Sequence, residues 1–169
     1  AFRIPHLSLA KVVGVCQDLD FDNLQKAAAQ FDGISLFYLR NPNNPTAIIT
    51  ETDTLKAWIK NAPKNHYFLV DEAYFGYITD PSFVSGVEWI KEGLSDNLIV
   101  VRTFSKLFGL AGLRVGYAIA NPPMIADIGS LMSTDNINML GAVAAIATLE
   151  DEAFLAHSLQ TTNQARKMM

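Results

Sequence analysis

Short apolar runs of strand length alternate along this chain with segments whose apolar residues recur at helical spacing. From Phe21 to Phe31, the residues Leu24, Ala27, Ala28 and Phe31 follow the i, i+3, i+4, i+7 spacing of a buried helix face. Asp20 stands ahead as an N-cap and Gly33 behind as a stop signal. The apolar run Ile34–Arg40 reads as a strand, ended by the breaker-rich Asn41-Pro42-Asn43-Asn44-Pro45-Thr46. Thr50-x-x-Asp53 resembles a capping box; Leu55, Trp58, Ile59 and Ala62 form the face of the helix it opens, and Pro63 ends it. Three further strands are predicted over Tyr67–Val70, Leu98–Val101 and Val115–Ala120, with a helical stretch at Ser82–Glu92 between the first two. Asn121-Pro122-Pro123 closes the last strand, and everything after Asn136 reads as helix, including Ala142–Leu149 and the stretch from Glu152 to the last residue.

Short buried strands alternating with amphipathic helices predict an α/β fold: a mostly parallel sheet with helices on both faces, a three-layer sandwich. Such sheets bind ligands outside the carboxyl ends of their strands. The residues at those ends are Asn44, Asp71 and the segment Thr103–Arg114, and polar or ionisable groups stand at each.

Composition narrows the function classes. The 169 residues carry 13 Lys and Arg against 17 Asp and Glu, a formal charge of −4, with no basic run, which argues against a binder of nucleic-acid backbone. Half are hydrophobic and 18% charged, which excludes intrinsic disorder. The lone Cys16 cannot form an internal disulfide and suits the reducing cytoplasm. No apolar run reaches the roughly 18 residues of a membrane span. His6, His66 and His157 lack metal-ligand spacing, and neither a Gly-x-Ser-x-Gly elbow nor a Walker phosphate loop is present.

The strand-end residues suggest chemistry. Asp71 directly follows an apolar strand and precedes Glu72-Ala73-Tyr74. It is either a solvent-facing carboxylate or helix cap, or a buried charge that needs a cationic partner such as a protonated ring nitrogen. Lys106 sits among Leu107, Phe108 and Leu110, with Arg114 eight residues on. It is either a solvated surface amine or one whose apolar, cationic surroundings favour its neutral, nucleophilic form. Arg114 also offers a fork for a phosphate, and Thr103 and Ser105 add hydroxyls on the same loop. Gly109 and Gly112 either let backbone approach a ligand or serve as turn residues. Asn44 belongs to a tight turn and presents an amide donor; Tyr74 presents a phenol. An amine, a ring-nitrogen carboxylate, an anion clamp and two neutral donors together are what pyridoxal 5'-phosphate requires. Glu72 reads as a helix-start or salt-bridge group.

Asn43-Asn44-Pro45-Thr46, Asp71-Glu72-Ala73-Tyr74 and Thr103-Phe104-Ser105-Lys106 followed by Gly109-Leu110-Ala111-Gly112-Leu113-Arg114-Val115-Gly116 resemble, in order and spacing, three signature blocks of fold-type I pyridoxal-phosphate aminotransferases. The closest likeness is to the histidinol-phosphate aminotransferase branch of class I/II. The resemblance implies that Lys106 bonds the cofactor and shuttles the substrate α-proton, and that Asp71 holds the pyridine nitrogen protonated. It implies that Asn44 and Tyr74 bind the phenolate oxygen, and that Thr103, Ser105 and Arg114 bind the phosphate. The substrates it implies are an amino acid, or an amino-alcohol phosphate such as histidinol phosphate, and a 2-oxo acid, turned over by a homodimer without nucleic-acid or membrane partners. A lyase or decarboxylase on the same scaffold, or a cofactor-sensing effector domain of a transcriptional regulator, would use the same residues.

The same resemblance makes residues 1–150 the central part of the cofactor-binding large domain, and residues 151–169 the start of a helix leading to a small C-terminal domain. The chain then reads as a fragment, weakly active or inactive alone, lacking an upstream phosphate-clamping turn and a downstream arginine for the substrate carboxylate. Two positions depart from the family pattern: Ala47 stands where glycine is usual and Thr134 where proline is common. If position 47 needs a positive φ, alanine there costs roughly 1 kcal/mol.

Overall fold

A computed structural model describes residues 21–132 and 136–168. The expected cap Asp20 lies outside these residues, as do Thr134, His6 and Cys16.

The elements run α1 (Phe21–Ala29), β1 (Ser35–Arg40), α2 (Thr52–Asn61), β2 (His66–Asp71), α3 (Gly86–Lys91), β3 (Leu98–Thr103), β4 (Gly116–Ile119), α4 (Pro122–Ser130), α5 (Met139–Glu150) and α6 (Glu152–Met168). The sheet order is β1-β2-β3-β4. β1, β2 and β3 are parallel, each pair joined through a crossover helix; β4 returns antiparallel to β3 through a loop that holds only a 3₁₀ turn, Ala111–Leu113. The fold is α/β with a mixed, mostly parallel sheet.

Strand alternation decides what each face carries. Phe37, Phe68 and Leu98 form one cross-strand row and Leu39, Val70 and Val100 the next, all buried. Leu55, Trp58 and Ile59 of α2, Trp89 of α3 and Ala28 of α1 pack on these rows in one core. Phe37 and Phe68 stack at 5.1 Å, and the Trp58 ring meets them edge-on at 4.8 and 5.0 Å. Each such buried side chain contributes about 1.5–3 kcal/mol. Both crossovers step the same way along the sheet, so their common right-handedness sets α2 and α3 on one side. The opposite face, expected to carry helices as well, leaves Leu36 63% and Tyr38 54% exposed among the described residues. That open face also carries Asp71, whose register partner on β1 is Arg40. A second core joins Phe104, Phe108 and Val115 of the β3–β4 loop to Ala145 of α5, with Leu155 of α6 against it.

Several predicted boundaries move. α2 is capped by Glu51, whose carboxylate accepts from the Asp53 and Thr54 amides; the Thr50 amide instead donates to Asn41 Oδ1. Phe31, predicted on the buried face of α1, lies beyond its end and is 43% exposed. Asn121-Pro122-Pro123 ends β4 but also opens α4: Asn121 Oδ1 accepts from the Met124 amide and the prolines occupy the first helical positions. Ala47 has φ +59°, so the left-handed conformation is required there. Ala47→Gly is therefore expected to stabilise the fold by about 0.5–1 kcal/mol, measured as a raised urea midpoint at unchanged slope. Among the described residues no helix is long and apolar enough to cross a membrane.

Candidate functional site

The carboxyl ends of β1, β2 and β3 carry the predicted site residues, and two cavities open beside them. The larger, about 570 Å³, is lined by Asn44, Tyr74 and Lys106, with Thr162 and Arg166 of α6 on another wall. The smaller, about 270 Å³, is lined by Asp71, Thr103, Ser105 and Arg114. Consecutive residues serve both: Ala73 lines the smaller and Tyr74 the larger, and Ser105 and Lys106 divide in the same way. The seven predicted residues are divided between these two cavities, three lining the larger and four the smaller.

Each residue is placed by its local chain. Asp71 ends β2, where Oδ1 accepts from the Ala73 amide at 2.9 Å and Oδ2 from the Tyr38 hydroxyl at 2.6 Å. Tyr74 opens a short 3₁₀ turn over Phe75–Tyr77, and its hydroxyl accepts from Asn44 Nδ2 at 3.2 Å. The Asn44 loop is itself pinned: Asn43 Nδ2 donates to Thr46 Oγ1 at 2.7 Å and the Ala47 amide to the Asn43 carbonyl. Thr103 ends β3, and its hydroxyl accepts from the Ser105 amide at 3.0 Å, turning the loop toward Lys106.

Two expectations about Lys106 and its neighbours change. Leu107 and Phe108, predicted to enclose the amine, pack into the second core, and Lys106 is exposed. Its Nζ stands 5.2 Å from the Tyr74 ring centroid, a cation–π distance. Arg114 lines the smaller cavity while Lys106 lines the larger; its Nη1 donates to the Ala111 carbonyl at 2.7 Å, leaving other donors of the fork. Gly109 proves a packing and turn residue: its φ is +70°, and a Cβ there would meet the Phe154 ring at 3.0 Å.

Beneath the site lies a buried ion pair. Glu72 is 0% exposed, and its Oε2 accepts from Arg102 Nε at 3.0 Å and Nη2 at 2.8 Å. Ser85 donates its hydroxyl to the same carboxylate, and the Gly86 amide reaches Oε1 at 2.8 Å. A Cβ at Gly86 would lie 2.8 Å from Val100 Cγ2, so glycine there lets the start of α3 sit close against β3. The Arg102 guanidinium also stacks 3.6 Å above the Phe75 ring. One network thus ties the ends of β2 and β3, the start of α3 and the Tyr74 turn. Glu72 is the salt-bridge group its sequence context predicts.

Tyr38 is the residue the sequence reading missed. Its position between the buried Phe37 and Leu39 was the available signal, since it puts the phenol on the Asp71 face. Burial of the hydroxyl, reinforced by the bond to the Asp71 carboxylate, pushes the Tyr38 phenol up to about 12. Arg166 was also unassigned; its Nη2 donates to the Tyr77 carbonyl at 2.9 Å, fastening α6 to the turn beside the larger cavity.

The sequence profile of aminotransferase class I and II matches residues 9–169. A histidinol-phosphate aminotransferase of Moorella thermoacetica is 38% identical over 140 residues, covering 83% of this chain and 36% of its own length. A crystal structure from Erwinia carotovora atroseptica, provisionally assigned as a histidinol-phosphate aminotransferase, superposes with a TM-score of 0.81 at 42% identity, over 88% of this chain and 42% of that one. The histidinol-phosphate aminotransferase of Sinorhizobium meliloti, solved in complex with pyridoxal-5'-phosphate, gives a TM-score of 0.76 at 27% identity, over 85% and 39% of the two chains. This chain therefore spans about two fifths of the length of the proteins it matches.

Proposed function

Because the chain belongs to the aminotransferase class I and II family, we propose that it carries the cofactor-binding centre of an enzyme that transfers an amino group from an amino donor to a 2-oxo acid. The observation that carries this reading is the convergence of Asn44, Asp71, Tyr74, Thr103, Ser105, Lys106 and Arg114 on two adjoining cavities. The relatives' shared activity supports histidinol phosphate as the amino donor. Residues 1–150 then belong to the large, cofactor-binding domain, and residues 151–169 begin the helix toward a small one; the assembly is a cytoplasmic homodimer.

The donor set fits pyridoxal 5'-phosphate. The Lys106 amine supplies the nucleophile for its carbonyl carbon. The Thr103 and Ser105 hydroxyls and the remaining Arg114 donors supply a phosphate site in the smaller cavity. Asp71 keeps lone pairs free on both oxygens and would hold a proton on the ring nitrogen. Asn44 and Tyr74, already paired with each other, orient the ring through its phenolate oxygen. When bound, the cofactor supplies an electron sink for the carbanion left at the substrate α-carbon. Lys106 would be the base that moves the substrate α-proton, and its exposed amine is suited to that movement.

The test is an amino-transfer assay on the protein expressed from its complete gene, with histidinol phosphate and free amino acids as donors and 2-oxo acids as acceptors. Saturable transfer from histidinol phosphate is expected. A folded, cofactor-loaded protein that transfers no amino group from any donor contradicts the reading.

A further inference from the structure

Asp71 does not stand alone at the end of β2. Its two oxygens are held from opposite sides, Oδ1 by the Ala73 amide at 2.9 Å and Oδ2 by the Tyr38 phenol at 2.6 Å. The amide is part of Asp71's own turn, but the phenol comes from the neighbouring strand, 33 residues earlier. Tyr38 pairs in register with Leu69, two residues before Asp71 on β2 and on the same face. The phenol therefore reaches forward along the sheet to the carboxylate, and the rigid β1–β2 ladder sets the length of that reach. The short O–H···O⁻ distance marks a charge-assisted bond, stronger than a neutral one.

We propose that Tyr38 is the positioning residue for Asp71: its hydroxyl fixes the carboxylate in the rotamer that presents its free lone pairs to the ring nitrogen of pyridoxal 5'-phosphate. The inference rests on the reading of Asp71 given under the proposed function. A phenol suits the task because the hydroxyl keeps its proton across the working pH range, having been pushed up to about 12 by burial and the neighbouring carboxylate. It remains a donor to Asp71 and never becomes a second anion beside it. Arg40, register partner of Asp71, stands next to the phenol on β1 and opposes that upward shift without reversing it. The ring of Tyr38 is half exposed and belongs to neither buried core, and its hydroxyl donates to Asp71.

The experiment is a double-mutant cycle on the protein expressed from its complete gene: Tyr38→Phe, Asp71→Asn and the pair. The readouts are the dissociation constant for pyridoxal 5'-phosphate by fluorescence titration, the visible absorption of the bound cofactor, and thermal melting of the cofactor-free protein. Tyr38→Phe is expected to weaken cofactor binding roughly tenfold, as loss of one hydrogen bond to a charged group does. It should also shift the visible band in the direction Asp71→Asn shifts it, with the cofactor-free melting temperature held. Added to Asp71→Asn, it is expected to weaken binding no further. Full affinity in Tyr38→Phe beside weakened Asp71→Asn overturns the role of Tyr38 and leaves Asp71 in place. An equal loss in both backgrounds shows that Tyr38 acts by another route, and also overturns it. Full affinity in Asp71→Asn overturns the underlying reading of Asp71, and the role of Tyr38 with it.

Discussion

Replacing Arg102 by alanine is expected to cost about 3–5 kcal/mol of folding stability. The magnitude follows from what would be left behind. Glu72 is fully buried and carries two bonds from the Arg102 guanidinium. The Ser85 hydroxyl and Gly86 amide would remain, but they satisfy a carboxylate without neutralising it. An uncompensated buried charge is among the few defects able to remove so large a share of a stability of about 5–15 kcal/mol. The stacked contact on Phe75 would be lost with it. Urea denaturation reads the effect as a lower midpoint. Replacing both Glu72 and Arg102 by leucine is expected to recover much of the loss, because a well-packed apolar pair substitutes for a buried ion pair at little cost. An Arg102→Ala protein within 1 kcal/mol of the parent would mean that the pair does not hold the strand ends together.

Lys106→Ala is expected to abolish amino transfer while leaving the fold intact. Lys106 is exposed, so truncating it should change stability by no more than about 0.5 kcal/mol. Loss of proton transfer alone should lower kcat by roughly 10²–10⁴-fold, and loss of the covalent anchor lowers it further. Lys106→Arg separates charge from nucleophilicity: guanidinium keeps the cation but does not deprotonate, so this variant should be as inactive as alanine. Substantial turnover in the arginine variant would show that only the positive charge matters. Matched melting temperatures with activity lost in both variants is the predicted pattern.

Strand ends were legible in the sequence because an apolar run that stops at a charged residue marks both the strand and the residue that terminates it. Asp71 ends β2 in this way. Ala47 was legible only through the family pattern, which has glycine there; its φ of +59° is the left-handed conformation that glycine adopts freely. Tyr38 was hidden because alternation along Ser35–Arg40 groups it with Leu36 and Arg40 but does not say which residues of β2 lie beside that face. Register against β2, a long-range property, assigns it. The placement of all crossover helices on one face was hidden for a related reason, since periodicity reports how a helix packs but not the order of strands. The exposure of Lys106 depends on where Leu107 and Phe108 turn, and a core formed with Ala145 and Leu155, about forty residues later in the chain, decides that. Asn121-Pro122-Pro123 carried both a strand stop and a helix start, and only the stop was read.

The most direct test asks which residue bonds the cofactor. The protein expressed from its complete gene, loaded with pyridoxal 5'-phosphate, is reduced with borohydride, digested and mapped by mass spectrometry. A pyridoxyl group on Lys106, absent from Lys106→Ala, is the predicted result. A pyridoxyl group on any other lysine, or none on a loaded protein, would contradict the assignment of Lys106 as the centre of this site.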